Sequence, residues 1–62
     1  MQVFTGDQAK KIIESGKFPI DSIGVSKVES GYLYYYYDRH VFDSGMEPTE
    51  KMAFSTAKRN IQ

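Results

Sequence analysis

Tyrosine is the residue type with the clearest potential for chemistry in this sequence. Among 62 residues there are five tyrosines and four phenylalanines, but one leucine. In an extended strand, alternate side chains share a face, so Tyr32, Tyr34 and Tyr36 would form one row. Tyrosine offers a large contact area with few rotatable bonds and a polar tip, which suits contact surfaces. The pattern predicts a partner-binding row of Tyr32, Tyr34 and Tyr36, with Arg39 and His40 at its rim.

Catalytic and metal-binding combinations are poorly represented. Asp38 and His40 would share a strand face, where a carboxylate could orient an imidazole, but Ser44 lacks the turn motif of a nucleophile. The chain has no cysteine and one histidine, which excludes disulfides and thiolate zinc sites. A chain of this size also has difficulty enclosing a pocket that excludes water. We therefore expect no enzyme activity, no catalytic residue, no metal and no cofactor.

The charge balance argues against a general nucleic-acid binder. Eight basic and eight acidic residues give a formal net charge of zero, whereas such binders carry a basic excess. Residues 21–50 contain two basic and six acidic residues, a net charge of −4. Aromatic strands can nevertheless stack bases where cations hold the backbone. Nucleic acid is an alternative partner, and its candidate contacts are Lys27, Lys58 and Arg59.

Membrane and export signals are not evident. No apolar run approaches the roughly 18 residues that a membrane span needs. The first residues do not read as a signal peptide, because Val3 and Phe4 are followed at once by polar residues and glycine. The expectation is a cytoplasmic protein with no membrane partner.

The first regular element is predicted to be a helix over residues 6–15. Thr5 and Gln8 fit a capping box, in which each side chain bonds the other residue's backbone amide. Apolar Ala9, Ile12 and Ile13 follow at helical spacing. Gly16 supplies the left-handed stop.

A β-hairpin is predicted next, with strands near residues 23–28 and 32–42. The turn lies at Ser30-Gly31, and a three-residue loop with a left-handed Gly31 pairs Val25 with Tyr35. A two-residue loop would mix apolar and charged residues on one face, so we favour the three-residue loop. The strand is expected to break at Asp43-Ser44-Gly45. The favoured pairing places on one face Ile23, Val25, Leu33, Tyr35, Tyr37 and Val41, and on the other Gly24, Ser26, Tyr32, Tyr34, Tyr36, Asp38 and His40.

A second helix is predicted over residues 48–61. Ala53, Phe54, Ala57 and Ile61 form a helical stripe. The alternative is a third strand at residues 51–56. The predicted fold is a single small α+β domain, residues 1–62, of order α-β-β-α. Its two helices would cover one face of the hairpin and leave the tyrosine row exposed.

One segment carries a resemblance. Residues 5–19 (TGDQAKKIIESGKFP) resemble a short N-terminal helix that precedes strand-rich repeats in some small phage and bacterial proteins. The repeats do not follow here, so no function carries over. Small size without cysteine is similar to phage-encoded accessory proteins, whose style implies inhibiting or redirecting a larger host protein. We expect a non-enzymatic protein-interaction module, with a nucleic-acid-binding or transcription-associated regulator and a homodimeric accessory protein as alternatives.

Overall fold

Four strands and two helices form in residues 1–61, the part of the chain that the computed structural model describes. The strands make one mixed sheet in the order β1-β2-β3-β4. The small α+β class is therefore confirmed. The elements in chain order are β1 (Gln2–Thr5), α1 (Gly6–Ser15), β2 (Ser22–Val28), β3 (Gly31–Tyr37), β4 (Phe42–Glu47) and α2 (Glu50–Asn60).

Helix α1 has the predicted bounds. It ends where Gly16 adopts a left-handed conformation (φ 73°) and donates its N–H to the Ile12 carbonyl at 3.1 Å, as in an αL cap. The predicted capping box is wrong, because the Thr5 side chain makes no capping hydrogen bond. Thr5 is instead the last residue of β1, so the start of the helix is set by the strand before it.

Helix α2 forms where the helix was predicted, and the alternative strand at residues 51–56 is wrong. The Thr49 side chain accepts a hydrogen bond from the Met52 N–H at 3.2 Å and caps the first turn. Ala53 and Ala57 are fully buried. Two alanines one turn apart lie on the same side of the helix and let its backbone approach the sheet closely.

The sheet has two strands beyond the predicted hairpin. β1 runs parallel to β2, and α1 makes the crossover that a parallel pair requires. β4 runs antiparallel to β3 and includes Asp43, Ser44 and Gly45, so the predicted break there is wrong. The aromatic run instead ends at Tyr37. A short turn follows, in which the Asp38 N–H donates to the Val41 carbonyl at 2.9 Å.

The predicted hairpin register is also wrong. The loop contains two residues, and Val28 pairs with Gly31, so Ile23 lies opposite Tyr36 and Val25 opposite Tyr34. This differs by one residue from the favoured pairing, and a one-residue slip moves every side chain of a strand to the other face. The prediction assumed that one face would be covered, whereas apolar residues of β3 are buried on both faces.

Each face of the sheet has its own helix. Ile23, Tyr36 and Ala57 pack together on what we call the α2 face. The N–H of Gln2 donates to the Asp21 carbonyl, so this N–H points toward β2. For a strand in this orientation, the right-handed crossover that joins two parallel strands places α1 on the face opposite to α2. We call this face the α1 face. Two-sided coverage replaces the predicted one-sided hairpin. The α1 face presents Gly24, Ser26, Leu33, Tyr35, Tyr37, Phe42, Ser44 and Met46, and the α2 face presents Ile23, Val25, Tyr32, Tyr34, Tyr36, Asp43, Gly45 and Glu47.

Candidate functional site

The structure does not leave the predicted tyrosine row exposed, because two of its three side chains pack in the core. Tyr36 is only 7% exposed and belongs to the core with Ile23 and Ala57. Tyr34 is half-buried against the same cluster, and its ring lies nearly parallel to that of Tyr36 at 6.3 Å. Burial raises the pKa of Tyr36, and the neighbouring Asp43 carboxylate raises it further. These two rings hold α2 on the sheet, so they cannot also form an open contact surface.

The remaining predicted contact residues do not meet. Tyr32 is half-buried at the start of β3, opposite Lys27 and Glu47. Arg39 and His40 are exposed in the turn at the other end of that strand. The length of β3 separates the two groups by about 20 Å, at 3.3 Å for each residue. The predicted contact surface of Tyr32, Arg39 and His40 is therefore divided between the two ends of the sheet.

The candidate nucleic-acid contacts are likewise separated. Lys27 lies near the hairpin end of β2, opposite Tyr32. Lys58 and Arg59 lie in the last turn of α2, which ends near a cavity that Ile61 lines together with Asp21 and Asp38. Lys58 is also placed over the ring of its own helix neighbour Phe54, with its Nζ 5.8 Å from the centroid. The three cations do not form the continuous basic groove that a nucleic-acid backbone needs.

An apolar surface that the sequence reasoning missed lies on the α1 face. Within residues 1–61, the main contacts of helix α1 are with β1 and β2 and not with β3 or β4. Phe42 and Met46 of β4 are each 49% exposed there, and they pair with half-buried Tyr37 and Leu33 of β3. The alternation of Phe42, Ser44 and Met46 was the available signal, but the expected break at residues 43–45 concealed it. We call this surface the apolar patch: Phe18, Leu33, Tyr37, Phe42 and Met46.

Aromatic contacts pack the side chains at one end of the apolar patch against each other. The Phe18 ring lies 4.8 Å from both the Tyr35 ring and the Phe42 ring. Tyr37 meets Phe42 edge to face at 5.6 Å, an arrangement that aromatic pairs prefer. Gly16, Phe18, Tyr37 and Phe42 line an open cavity of about 420 Å³. The cavity is wide enough for an apolar side chain of a partner.

The outer edge of β4 lies beside the apolar patch. β4 is the last strand of the sheet and has a paired neighbour on one side only. The Ser44 N–H donates to its own neighbour, the Asp43 Oδ1, at 2.8 Å, so this amide points away from β3. Because backbone groups alternate along an antiparallel pair, the amides of Phe42 and Met46 point outward as well. The edge offers unpaired backbone groups to another chain.

The opposite side of β4 is acidic. Asp43 is exposed, and the half-buried Glu47 accepts a hydrogen bond from the Thr56 hydroxyl at 2.9 Å. Both carboxylates lie on the α2 face. Only Gly45, which has no side chain, lies between them on that face. The edge strand therefore separates apolar side chains on one face from two carboxylates on the other.

The Asp38 carboxylate organises the turn before β4 and does not orient the His40 imidazole. Its Oδ1 accepts the backbone N–H of His40 at 2.7 Å and that of Val41 at 2.8 Å. These two hydrogen bonds hold the pKa of Asp38 below its ordinary value. Among residues 1–61, no group of three or more His, Cys, Asp or Glu side chains is placed to hold a metal ion. The expectations of no enzyme activity and no cofactor stay predictions.

Acidification through the pKa of Asp38 is expected to loosen this turn. A carboxyl whose folded pKa is lowered contributes stability above its unfolded pKa, and this contribution is lost as the pH falls through the folded value. In an NMR titration, the Asp38 carboxyl carbon should titrate at lower pH in the folded protein than in the urea-unfolded chain. The amide signals of His40 and Val41 should move with the same midpoint. Equal midpoints for the folded and unfolded chains would contradict this assignment.

None of the helices formed by residues 1–61 is long and apolar enough to cross a bilayer.

The comparisons with known proteins identify no relative. No family model, no curated protein and no solved structure matches this chain. The candidate site therefore rests on geometry alone: an apolar patch and a free strand edge on the same strand, β4.

Proposed function

We propose that this protein is a non-enzymatic interaction module that binds a protein partner through the apolar patch and the edge of β4. The observation that carries the proposal is the coincidence of both features on one strand. Phe42 and Met46 remain half exposed, although a third helix or a longer α1 could have covered them. Aromatic and methionine side chains are enriched at the cores of protein interfaces, and a rigid aromatic anchor loses little entropy on binding.

The proposed contact surface differs from the one predicted from the sequence. Tyr34 and Tyr36 are not part of it, because they pack against α2. Arg39 and His40 stay in the proposed surface, because both residues are exposed and precede Phe42, the first residue of β4, by only a few positions. Arginine is a frequent interface residue, because its planar guanidinium group can form hydrogen bonds and also stack on aromatic rings. Tyr32 has no place in the revised surface.

The biological setting of this module stays a prediction. A phage-type accessory role, in which the protein inhibits or redirects a larger host protein in the cytoplasm, is consistent with a small module that binds its partner through one strand. A regulator that binds nucleic acid is less compatible with the separated cations at Lys27 and Lys58.

Replacing Phe42 and Met46 together by serine is expected to abolish partner binding and to leave the fold intact. Both side chains are about half exposed, but Phe42 also packs against Phe18 and Tyr37, so the pair should lower the free energy of unfolding by about 1–3 kcal/mol. Circular dichroism of the double variant checks that the fold is retained. The matched control is Met52→Ser on α2, whose side chain is 47% exposed outside the patch. Tagged wild-type protein, the double variant and the control are used for affinity capture from native lysate, and the recovered proteins are identified by mass spectrometry.

The result that supports the proposal is a stoichiometric protein recovered by the wild type and the control but not by the double variant. Equal recovery by the double variant would overturn it. Sedimentation equilibrium of the purified wild type and double variant tests the homodimer alternative. If the wild type self-associates and the double variant does not, the partner is a second copy of the chain.

A further inference from the structure

We infer that the edge of β4 binds an extended protein segment as an added strand, and that this segment alternates basic and apolar residues. The inference rests on the proposed function and specifies the chemistry of the partner. Its starting point is that one strand presents three different features to an added strand. These are outward backbone groups, apolar side chains on the α1 face and carboxylates on the α2 face.

Backbone geometry supports strand addition. The outward N–H of Ser44 is held by the carboxylate of Asp43, its own neighbour. An incoming strand would supply a carbonyl to this N–H and release the Asp43 carboxylate for a new partner. The edge holds six residues, Phe42–Glu47, and no proline lies within it to interrupt pairing. A segment of about six residues, close to 20 Å long, would therefore fit.

Side-chain alternation defines the chemistry of the added strand. In a continued sheet, residues of the new strand that face Phe42 and Met46 must be apolar, because they extend the apolar patch. Their neighbours in the new strand point to the α2 face, beside Asp43 and Glu47. Opposite charges on adjacent strands attract, so these neighbours should be Lys or Arg.

The same charges disfavour a second copy of this chain as the occupant. Two antiparallel copies of β4 can pair with Asp43 opposite Glu47, which places like charges side by side. The alternative register, with Phe42 opposite Met46, makes the two Asp43 residues diagonal neighbours across the new pair. Like charges at these positions destabilise pairing, and charged side chains on an edge strand oppose self-association of sheets.

The experiment uses three synthetic octapeptides with blocked termini and the full chain. The first alternates lysine and valine, the second alternates glutamate and valine, and the third has the composition of the first in paired blocks instead of alternation. A fourth probe is the first peptide with N-methyl groups on the amides of one edge. Binding is measured by NMR titration of the ¹⁵N-labelled protein, which reports both the affinity and the residues that shift.

The expected result is that the alternating lysine peptide binds and shifts the amide signals of residues 42–47, while the glutamate, block and N-methylated peptides bind at least about tenfold more weakly. Two protein variants test the same point from the other side. Ser44→Pro removes the outward N–H and should lose binding. Asp43→Lys leaves one positive and one negative side chain on this face, so it should remove the preference for the lysine peptide over the glutamate peptide.

Several outcomes would overturn the inference. These are equal binding of the lysine and glutamate peptides, equal binding of the N-methylated peptide, or an unchanged charge preference in Asp43→Lys. The N-methylated peptide keeps the test valid if Ser44→Pro does not fold, because it leaves the protein unchanged. If the inference fails but the Phe42 and Met46 double variant still loses its captured partner, the proposed function stands with another binding mode. If the double variant keeps its partner, the proposed function itself is overturned.

Discussion

Replacing Tyr35 by alanine should cost about 3–5 kcal/mol, the usual loss for removing a large buried aromatic ring. Tyr35 is 0% exposed and is the largest fully buried side chain of the described residues. Its ring packs on Phe18 at 4.8 Å, and its hydroxyl shares a 2.9 Å hydrogen bond with the Ser22 Oγ. A domain of this size has about 3–9 kcal/mol of total stability. The substitution therefore removes a large part of the free energy of unfolding.

Tyr35→Phe separates the contribution of the ring from that of the hydroxyl. The Ser22 hydroxyl also donates to the Pro19 carbonyl, so it keeps one partner when the Tyr35 hydroxyl is removed. The cost of this variant should be about 1 kcal/mol, as for one hydrogen bond. Urea denaturation followed by circular dichroism measures both variants. A cost for Tyr35→Ala no larger than that of Tyr35→Phe would show that the ring is not the central packing element.

Placing a methyl group at Gly24 is the second change with a large expected effect. A Cβ at this position would lie 2.2 Å from the Tyr35 Cε2 and 2.9 Å from its Cδ2. The ring cannot easily move away, because Phe18 packs against it and Ser22 bonds its hydroxyl. Gly24→Ala should therefore destabilise the fold by about 1–3 kcal/mol, the usual range for overpacking a core.

Gly45→Ala is the matched control for this prediction. A Cβ at Gly45 would meet the Tyr34 hydroxyl at 2.6 Å, but Tyr34 is half-buried and the end of its side chain can shift. The cost should be smaller than that of Gly24→Ala. A second measurement tests the cause directly: in a Tyr35→Leu background, Gly24→Ala should cost less than in the wild type, as expected for residues in contact. Equal costs in the two backgrounds would exclude the Tyr35 ring as the origin of the effect.

These two residues explain why the hairpin register could not be predicted from the sequence. The sequence reasoning placed Gly24 on the exposed side of the hairpin, because it chose the register that best separates apolar from polar residues. In the structure, Gly24 is buried because its lack of a side chain leaves room for the Tyr35 ring. Choosing the register by separating apolar from polar residues fails when both faces of a sheet are covered.

The proposed site was hidden for a related reason. The polar run at residues 43–45 is typical of a turn, and in isolation it has little tendency to form a strand. It becomes a strand because β3 supplies a backbone ladder over the full length Phe42–Glu47. The four-residue β1 depends in the same way on β2 and on the crossover through α1. Both edge strands are consequences of neighbours that are distant or unpredicted when the chain is read residue by residue.

The sequence by itself determined the parts of this protein that depend on local interactions. Both helices, the left-handed end of α1 at Gly16 and the position of the hairpin between β2 and β3 follow from nearby residues. Only the tertiary structure decided which tyrosines are buried, and that the apolar patch lies beside the edge of β4. The physical reason is that strand pairing and helix placement join residues far apart in the chain, and a one-residue change of register exchanges the two faces of a strand.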